Sequence, residues 1–492
     1  MLKLRDYQTS AVNDIRQSYI EQFNAPILVL PTGGGKTVIF CEIARLSSAG
    51  GKNVWILVHR VELLRQTSAA LSKSSVAHGL INAKYTPNPT ARVQVASVQT
   101  LVNRLNRFPA PDLIIIDEAH HATAGSWRKV IEAFPNARVL GVTATPIRGD
   151  RKGLGVQSGG IFDTLVMGPQ IPDLMDRGFL VQPQVYAAKK KLDLSGVRVI
   201  RGDYDKAQIT ELVDRPTITG DAVEHYTKLC PGAPAVAFCV SIKHAENVAE
   251  DFRAAGYKAY SVDGNMDDDR RAAILEGLGT GSVQVVASCD IISEGTDIPN
   301  IRCAIMLRPT QSTGLYIQQG GRALRPVYAD GFDLSTDDGR LAAIAASNKP
   351  TALILDHVGN TYEHGLLTQE RDWDLAGKRS KKRKKSDEEE ESILVTQCPQ
   401  CFHVYKPLPP GSVCPGPGCD YVKPIQSKNV IEIEGELELI TKEREAEIKA
   451  AKRREVQKAR TLEELEAIEK ARNYKPGWAK RLFDARNKRM FQ

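Results

Sequence analysis

Long apolar runs are what this chain most plainly lacks. The strongest, Leu113 to Ile116, is strand-sized, against the ~20 apolar residues of a membrane-crossing helix, so no membrane partner is expected. The opening stretch, MLKLRDYQTS, has no apolar core of leader-peptide length, and the expected compartment is the cytoplasm. A strong charge of either sign is also absent. The net charge is +7, compatible with a polyanionic partner and too mild to require one. Cysteine is scarce: of nine, Cys41, Cys230, Cys239, Cys289 and Cys303 are scattered among apolar neighbours and read as small core residues. A reducing compartment argues against disulfides for the other four. What remains, 42% apolar and 25% charged over 492 residues, is the composition of a globular protein with length for about three domains.

One stretch stands out from that background. In residues 26–37, PILVLPTGGGKT, the run Ile27 to Leu30 reads as a buried strand, Pro31 stops it, and Gly33, Gly34 and Gly35 turn the chain into a helix from Lys36. Without Cβ atoms the glycines let successive N–H groups, with that of Thr32 beside them, curl into a nest that faces a phosphate chain. The positive end of the helix points the same way. Lys36 can reach the terminal phosphates, and the Thr37 hydroxyl can ligate Mg²⁺. The phosphate-loop formula asks for a small residue where Leu30 stands, so this is a trimmed version of it.

Upstream, Leu4 to Gln8 opens a helix, and the Gln8 amide can read both a donor and an acceptor on an adenine edge. Downstream, strand-like runs at 54–58, 93–96, 113–116 and 139–142 alternate with helical or looped stretches. Such alternation implies a parallel sheet covered on both faces, with ligands at the carboxyl ends of its strands. Asp117-Glu118-Ala119-His120 sits at one of those ends. Asp117 can hold Mg²⁺ through water, and Glu118 can orient and deprotonate an attacking water. Thr143 and Thr145 end the next strand, where their hydroxyls can bond His120 or Glu118 and let the site sense a second lobe.

A second alternating series supplies that lobe, with strands at 235–240, 259–262, 283–288, 303–307 and 352–356. It has no phosphate loop, so it contributes to a shared site and does not bind a nucleotide by itself. In QQGGRALR, Arg322 and Arg325 lie three apart, which puts both guanidiniums on one helix face. Aimed across a cleft at a γ-phosphate, such arginines neutralise charge that builds in the transition state, with Gln318 placed to hold the hydrolytic water.

Together LRDYQ, PTGGGKT, VHRVELLRQ, SVQTL, DEAH, TATP and QQGGRALR resemble, in order and spacing, the superfamily 2 helicases and translocases. The set is most similar to the RadD and bacteriophage helicase group, related to XPB and to the motor subunits of restriction enzymes. That resemblance covers roughly residues 1 to 365 and implies an α/β fold with two tandem RecA-like, doubly wound parallel-sheet lobes. It implies that Arg5 and Gln8 contact adenine, and that Thr32, Gly33, Gly34, Gly35, Lys36, Thr37, Asp117 and Glu118 bind and hydrolyse ATP with Mg²⁺. His120, Thr143 and Thr145 would couple the lobes, and Arg60, Gln99 and Thr100 would lie along nucleic acid. Gly295 and Asp297 match a motif linking nucleic acid to the ATP ribose. Gln319 stands where the family usually has arginine. The host compartment would be the cytoplasm of a bacterial or phage-infected cell.

The expected divisions are residues 1–150 as the ATP-binding lobe, 151–231 as the connection between lobes with some trimming of the second, and 232–375 as that second lobe. A charged linker at 376–393, a small zinc ribbon at 394–424 and a charged helical tail at 425–492 follow. Cys398, Cys401, Cys414 and Cys419 form two close pairs about a dozen residues apart, a spacing that can set four thiolates around Zn²⁺, with His403 as a neighbour. Stability alone can explain such a metal; Phe402, Tyr405 and Tyr421 can instead stack on exposed bases. The basic block 378–385 reads either as a solvated linker or as a nucleic-acid contact. Thr461 to Glu464 forms a capping box before a helix, and the basic end around Trp478 and Phe483 suits a phosphate backbone or a solvated helical face.

The resulting expectation is an ATP-dependent DNA helicase or translocase with ATP, Mg²⁺ and Zn²⁺. Its expected partners are single-stranded or branched DNA ahead of RNA, and proteins through the tail. One alternative is a nuclease motor, which needs Pro-Asp and acid-x-Lys on a strand; the nearest triplets start at Asp150 and Glu447, in a loop and on a charged helix. The other is a scaffold that docks nucleic acid with little hydrolysis.

Overall fold

The structure, a computed structural model, describes residues 4–377 apart from 123–124, 149–151, 188–191, 193, 195, 201, 215 and 293–296. It also describes 395–423 apart from 410, and a few residues between 459 and 483. The chain forms two compact units, residues 1–425 and 426–492.

In the first lobe seven parallel strands, β1 (Pro26–Val29), β2 (Val54–Val58), β3 (His78–Ile81), β4 (Val93–Ser97), β5 (Leu113–Asp117), β6 (Arg138–Thr143) and β7 (Thr164–Met167), pair in the order β3-β4-β2-β5-β6-β1-β7. β1, β2, β4 and β5 are buried along their whole length, because helices cover both faces of the sheet and each strand must be apolar on both sides. Successive side chains point to opposite faces: Val54, Ile56 and Val58 enter one core, Trp55 and Leu57 the other. The helices are α1 (Asp6–Ile20), α2 (Lys36–Ala49), α3 (Val61–Lys73), α4 (Val98–Leu101) and α5 (Gly125–Glu132).

A short helix, α6 (Ile171–Asp176), leads to the second lobe, which begins at β8 (Pro183–Ala187). A small hairpin, β9 (Val199–Ile200) and β10 (Asp203–Tyr204), and helices α7 (Lys206–Val213) and α8 (Pro216–Leu229) come next. The remaining parallel strands are β11 (Ala235–Phe238), β12 (Ala259–Val262), β13 (Val285–Ser288), β14 (Cys303–Met306) and β15 (Ala352–Asp356). Their helices are α9 (Ile242–Ala254), α10 (Asp268–Thr280), α11 (Thr313–Gly321), α12 (Asp337–Ala345) and α13 (Asn360–His364).

Two expected divisions shift. Residues 151–231, expected to connect the lobes and trim the second, also complete the first sheet: β7 pairs with β1 there, while β8 pairs with β15 in the second. Both strands are only partly buried, so neither reads as the unbroken apolar run of the central strands. Nor do residues 394–424 stand apart. Their strands β16 (Thr396–Gln397) and β17 (His403–Tyr405) extend the second sheet, whose order is β12-β13-β11-β14-β15-β8-β17-β16, with β17 antiparallel to β8. The basic block 378–385 lies outside the described residues, as do the triplets at 150–152 (in part) and 447–449.

In the second unit α14 (Leu462–Ala471) starts at the expected capping box. The Glu464 backbone N–H donates to Thr461 Oγ1 at 3.2 Å, and the Thr461 N–H to Glu464 Oε2 at 3.1 Å. Leu465 and Ile468 form a small apolar cluster with Ala459, Ala479 and Phe483. Trp478, Lys475, Arg481, Arg486, Lys488 and Arg489 lie outside the described residues, and Lys480 is exposed.

Candidate active site

Strand order brings the key residues together. β5, β6 and β1 are neighbours, so the acidic pair after β5, the threonines after β6 and the glycine loop after β1 share one sheet edge. Gly33 and Gly35 take φ of +88° and +84°, the left-handed region where only glycine is free of strain. Gly35 is the N-cap of α2, and no side chain caps that helix, so its first N–H groups face the loop. Leu30, the departure from the phosphate-loop formula, is wholly buried. It fits because glycines flank it: a Cβ on Gly34 would lie 2.7 Å from Leu30 Cγ, and one on Gly168 would lie 2.6 Å from its Cδ1.

Lys36 opens α2, with Thr37 next to it and Thr32 buried on the other side of the loop. The Lys36 Nζ donates to the Leu30 carbonyl at 3.4 Å. Burial lowers its ammonium below the ordinary lysine value, the Glu118 and Asp117 carboxylates oppose that, and Arg322 and Arg325 reinforce it. Asp117 ends β5 and accepts from the Glu118 N–H at 3.0 Å; both carboxylates are buried. Glu118 itself takes φ of +49°, an uncommon conformation for a residue with a Cβ. His120 Nδ1 lies 3.1 Å from Thr143 Oγ1 and 3.5 Å from Glu118 Oε2. The Thr143 hydroxyl in turn donates to the Thr145 carbonyl at 3.0 Å.

The second lobe closes on this edge through α11. A Cβ on Gly314 would lie 2.9 Å from Thr145 Oγ1, and one on Gly321 3.0 Å from Thr32 Cβ. Between them the Gln318 Nε2 donates to Glu118 Oε2 at 3.4 Å. Arg322 is buried. Arg325 pairs with Asp297 at 2.7 Å, and a Cβ on Gly33 would lie 3.6 Å from its Cγ. Burial lowers the Arg325 guanidinium from its ordinary value, with Asp297 opposing.

The expected helix face for the two arginines needs a correction. α11 ends at Gly321 and the chain tightens into i→i+3 turns, with N–H donation from Arg322 to Gln319 O, Ala323 to Gly320 O and Leu324 to Gly321 O. Residues three apart eclipse in such turns, and both guanidiniums still act on the Lys36 ammonium. The paired glycines, poor helix formers, let the turn pack against Leu367 and Thr32.

Gln8 sits at the start of α1 against the glycine loop. Its Oε1 accepts from the Arg5 N–H at 3.0 Å, capping the start of α1, and its Nε2 donates to Gly34 O at 3.3 Å, which braces the loop. The Arg5 guanidinium donates to the Tyr7 hydroxyl at 2.8 Å and lies 4.3 Å from the Phe179 ring centre. Tyr7 donates to Gly34 O at 2.9 Å, and Arg340 lies 3.9 Å from Phe179. Tyr7 lies within LRDYQ, whereas Phe179 and Arg340 fall where no periodic pattern points to them.

The nucleic-acid candidates are spread out. Arg60, the N-cap of α3, donates to Asp290 O in the second lobe at 2.9 Å, beside an open cleft lined also by Lys206 and Asn265. Gln99 accepts from Ser97 Oγ at 2.9 Å, and Thr100 follows it in α4. Gly295 lies outside the described residues. In the second sheet's extension the sulfurs of Cys398, Cys401, Cys414 and Cys419 gather within 4.8 Å of one another, and His403 is not one of that set.

Two lobes of parallel sheet with an uncapped glycine loop on one and a Gln-Arg-Arg turn closing from the other define an ATP-dependent motor of the helicase class. A family model described as "Type III restriction enzyme, res subunit" matches residues 1–148, and "Helicase conserved C-terminal domain" matches residues 221–327. The chain is 31% identical to the "51.5 kDa protein" of a Lactococcus phage over 84% of its own length and 82% of the relative's. It is also 31% identical to "Putative ATP-dependent helicase IRC3" of Saccharomyces cerevisiae over 65% of its own length, which is 49% of that protein. A fragment of a putative HsdR subunit of a type I restriction enzyme from Vibrio vulnificus shares the fold, with a TM-score of 0.56 and 20% identity over 76% of this chain and 67% of that one. The protein is a superfamily 2 helicase, of the family that includes the phage protein. Among the described residues no helix is long and apolar enough to cross a membrane.

Proposed function

We propose that this chain couples ATP hydrolysis, in the cleft between its lobes, to movement along DNA, and that it sits nearest the RadD and bacteriophage helicase group. The observation that carries the residue roles is the approach of Gln318, Arg322 and Arg325 to Lys36 and Glu118 from the opposite lobe. The loop N–H groups and Lys36 hold the phosphates, and Thr37 and Asp117 hold Mg²⁺, which would draw charge from the transferred phosphoryl group. Glu118 takes the proton of the attacking water, and Gln318 orients it. Arg322 and Arg325 balance the charge that builds as the bond breaks.

Closure and reopening reach DNA through two bridges. Thr145 touches α11 while Thr143 holds His120 beside Glu118, so the state of the site is felt at the lobe interface. Across the cleft, Arg60 bridges to Asp290 and, with Lys206 and Asn265, offers a path for a phosphate backbone. Ion pairs between the lobes, Glu62 with Arg271 at 2.6 Å and Lys84 with Asp268 at 3.0 Å, favour the closed form.

The four thiolates suit Zn²⁺. Zinc–sulfur bonds of about 2.3 Å around a tetrahedron separate sulfurs by about 3.8 Å, and Cys398 and Cys419 lie at 3.7 Å, Cys401 and Cys414 at 3.6 Å. The ion would fix β16 and β17 on the β8 edge of the second sheet. DNA as the track draws on the relatives, among them "DNA 3'-5' translocase XPB2" of Sulfurisphaera tokodaii.

ATP turnover with and without DNA tests the proposal: DNA should raise it, and Lys36→Ala should remove it. A Lys36→Ala protein as active as the parent would sink the reading. A second reading, the motor part of a restriction nuclease, draws on the res-subunit match to the first lobe; cut product from supercoiled DNA with Mg²⁺ and ATP would favour it.

A further inference from the structure

Lys349 lies in the turn between α12 and β15 and is only 1% exposed. Burial holds its ammonium well below the ordinary lysine range, with Arg325 and Arg302 adding to that. The phosphate chemistry above does not use it. A buried lysine is costly, and an apolar side chain would fill the same space more cheaply. What the ammonium adds is a pair of hydrogen bonds, to Arg325 O at 2.6 Å and to Pro299 O at 2.7 Å.

Those carbonyls belong to different loops. One loop carries Arg325; the other carries Asp297, two residues before Pro299. The same loops meet through their side chains, with Arg325 Nη1 at 2.7 Å from Asp297 Oδ1. The Arg325 guanidinium is therefore held at both ends of its residue, by Asp297 at the tip and by Lys349 at the main chain. The outer contact is weak, since the Asp297 side chain is 71% exposed and exposed ion pairs contribute little. The inner one is buried, where removing the donor strands two carbonyls and frees the loops to part.

We infer that Lys349 is a positioning residue for Arg325, fixing its backbone against the Asp297 loop so that the guanidinium meets the phosphate loop in one orientation. The inference rests on the assignment of Arg325 to the transferred phosphoryl group. A displacement of about 1 Å in such a group costs on the order of 10²-fold in rate.

The test is a mutant cycle in the full chain, with Lys349→Met, Arg325→Ala and the double variant. DNA-stimulated ATP hydrolysis and binding of fluorescent ADP are measured for each. Lys349→Met should lower kcat about 10²-fold while leaving the KM for ATP and the affinity for ADP, which has no γ-phosphate, unchanged. On the Arg325→Ala background it should cost nothing further. Losses that multiply in the double variant, or an equal fall in ADP affinity, would assign Lys349 to general stability and overturn the inference. Full activity in Arg325→Ala would overturn the underlying assignment as well. Should Lys349→Met fail to fold, Lys349→Gln, which keeps an N–H donor, carries the same cycle; failure of both to fold would also overturn it.

Discussion

Each lobe is built on a parallel sheet, and the turn after one central strand separates their roles. In the first, β1 runs into α2 through three glycines, and α2 starts at Gly35 with no side chain over its N-terminus. In the second, β11 runs into α9 through Cys239 to Ser241, and the Ser241 hydroxyl accepts from the His244 N–H at 3.2 Å. A capped helix end has spent its donors on its own side chain, whereas an uncapped one in a glycine cradle must find a ligand or water. Sheets of one kind thus yield a nucleotide-binding lobe and a lobe that completes the site by lending α11. An active site split in this way exists only when the lobes meet, which ties chemistry to movement.

The largest expected break in this division of labour comes from the lending lobe. Arg322→Ala should lower ATP turnover by about 10³- to 10⁵-fold, measured at saturating ATP and DNA, although the residue lies outside the lobe that binds the nucleotide. Glu118→Gln, which removes the proposed general base from the first lobe, should cost about 10²- to 10⁴-fold in kcat and leave ATP binding intact in a filter or fluorescence assay. Gly35→Ala puts a side chain at φ of +84° and 2.3 Å from Gln8 Nε2. That strain should weaken ATP binding about 10- to 100-fold by calorimetry. The matching change in the second lobe sharpens the contrast: Ser241→Ala should cost about 1 kcal/mol of stability in urea unfolding and leave ATP affinity where it was.

Sequence carried most of the site because its chemistry is local. The glycine loop, Asp117-Glu118 and Gln318 to Arg325 each fit within a few consecutive residues, and buried parallel strands such as Val54–Val58 read as unbroken apolar runs. Contacts made across the chain were less legible. β7 and β8 are only partly buried and show no unbroken apolar run, so the stretch expected to connect the lobes and trim the second holds one strand of each sheet. Nothing in the cysteine spacing says that β17 would pair with β8. The hydrogen bond from the Gln8 amide to Gly34 joins α1 to the glycine loop 26 residues away, a contact that LRDYQ alone does not reveal. Lys349 is one lysine among many in the sequence, and only its burial between two loops marks it out.

The central claim is that a triphosphate is completed by arginines from the opposite lobe. Trapping of ADP with aluminium fluoride, a mimic of the transferring phosphoryl group, tests it most directly. The parent protein should retain the trapped complex on a desalting column, and Arg322→Ala should release it while still binding ADP with parental affinity. Equal trapping by both proteins would contradict the account.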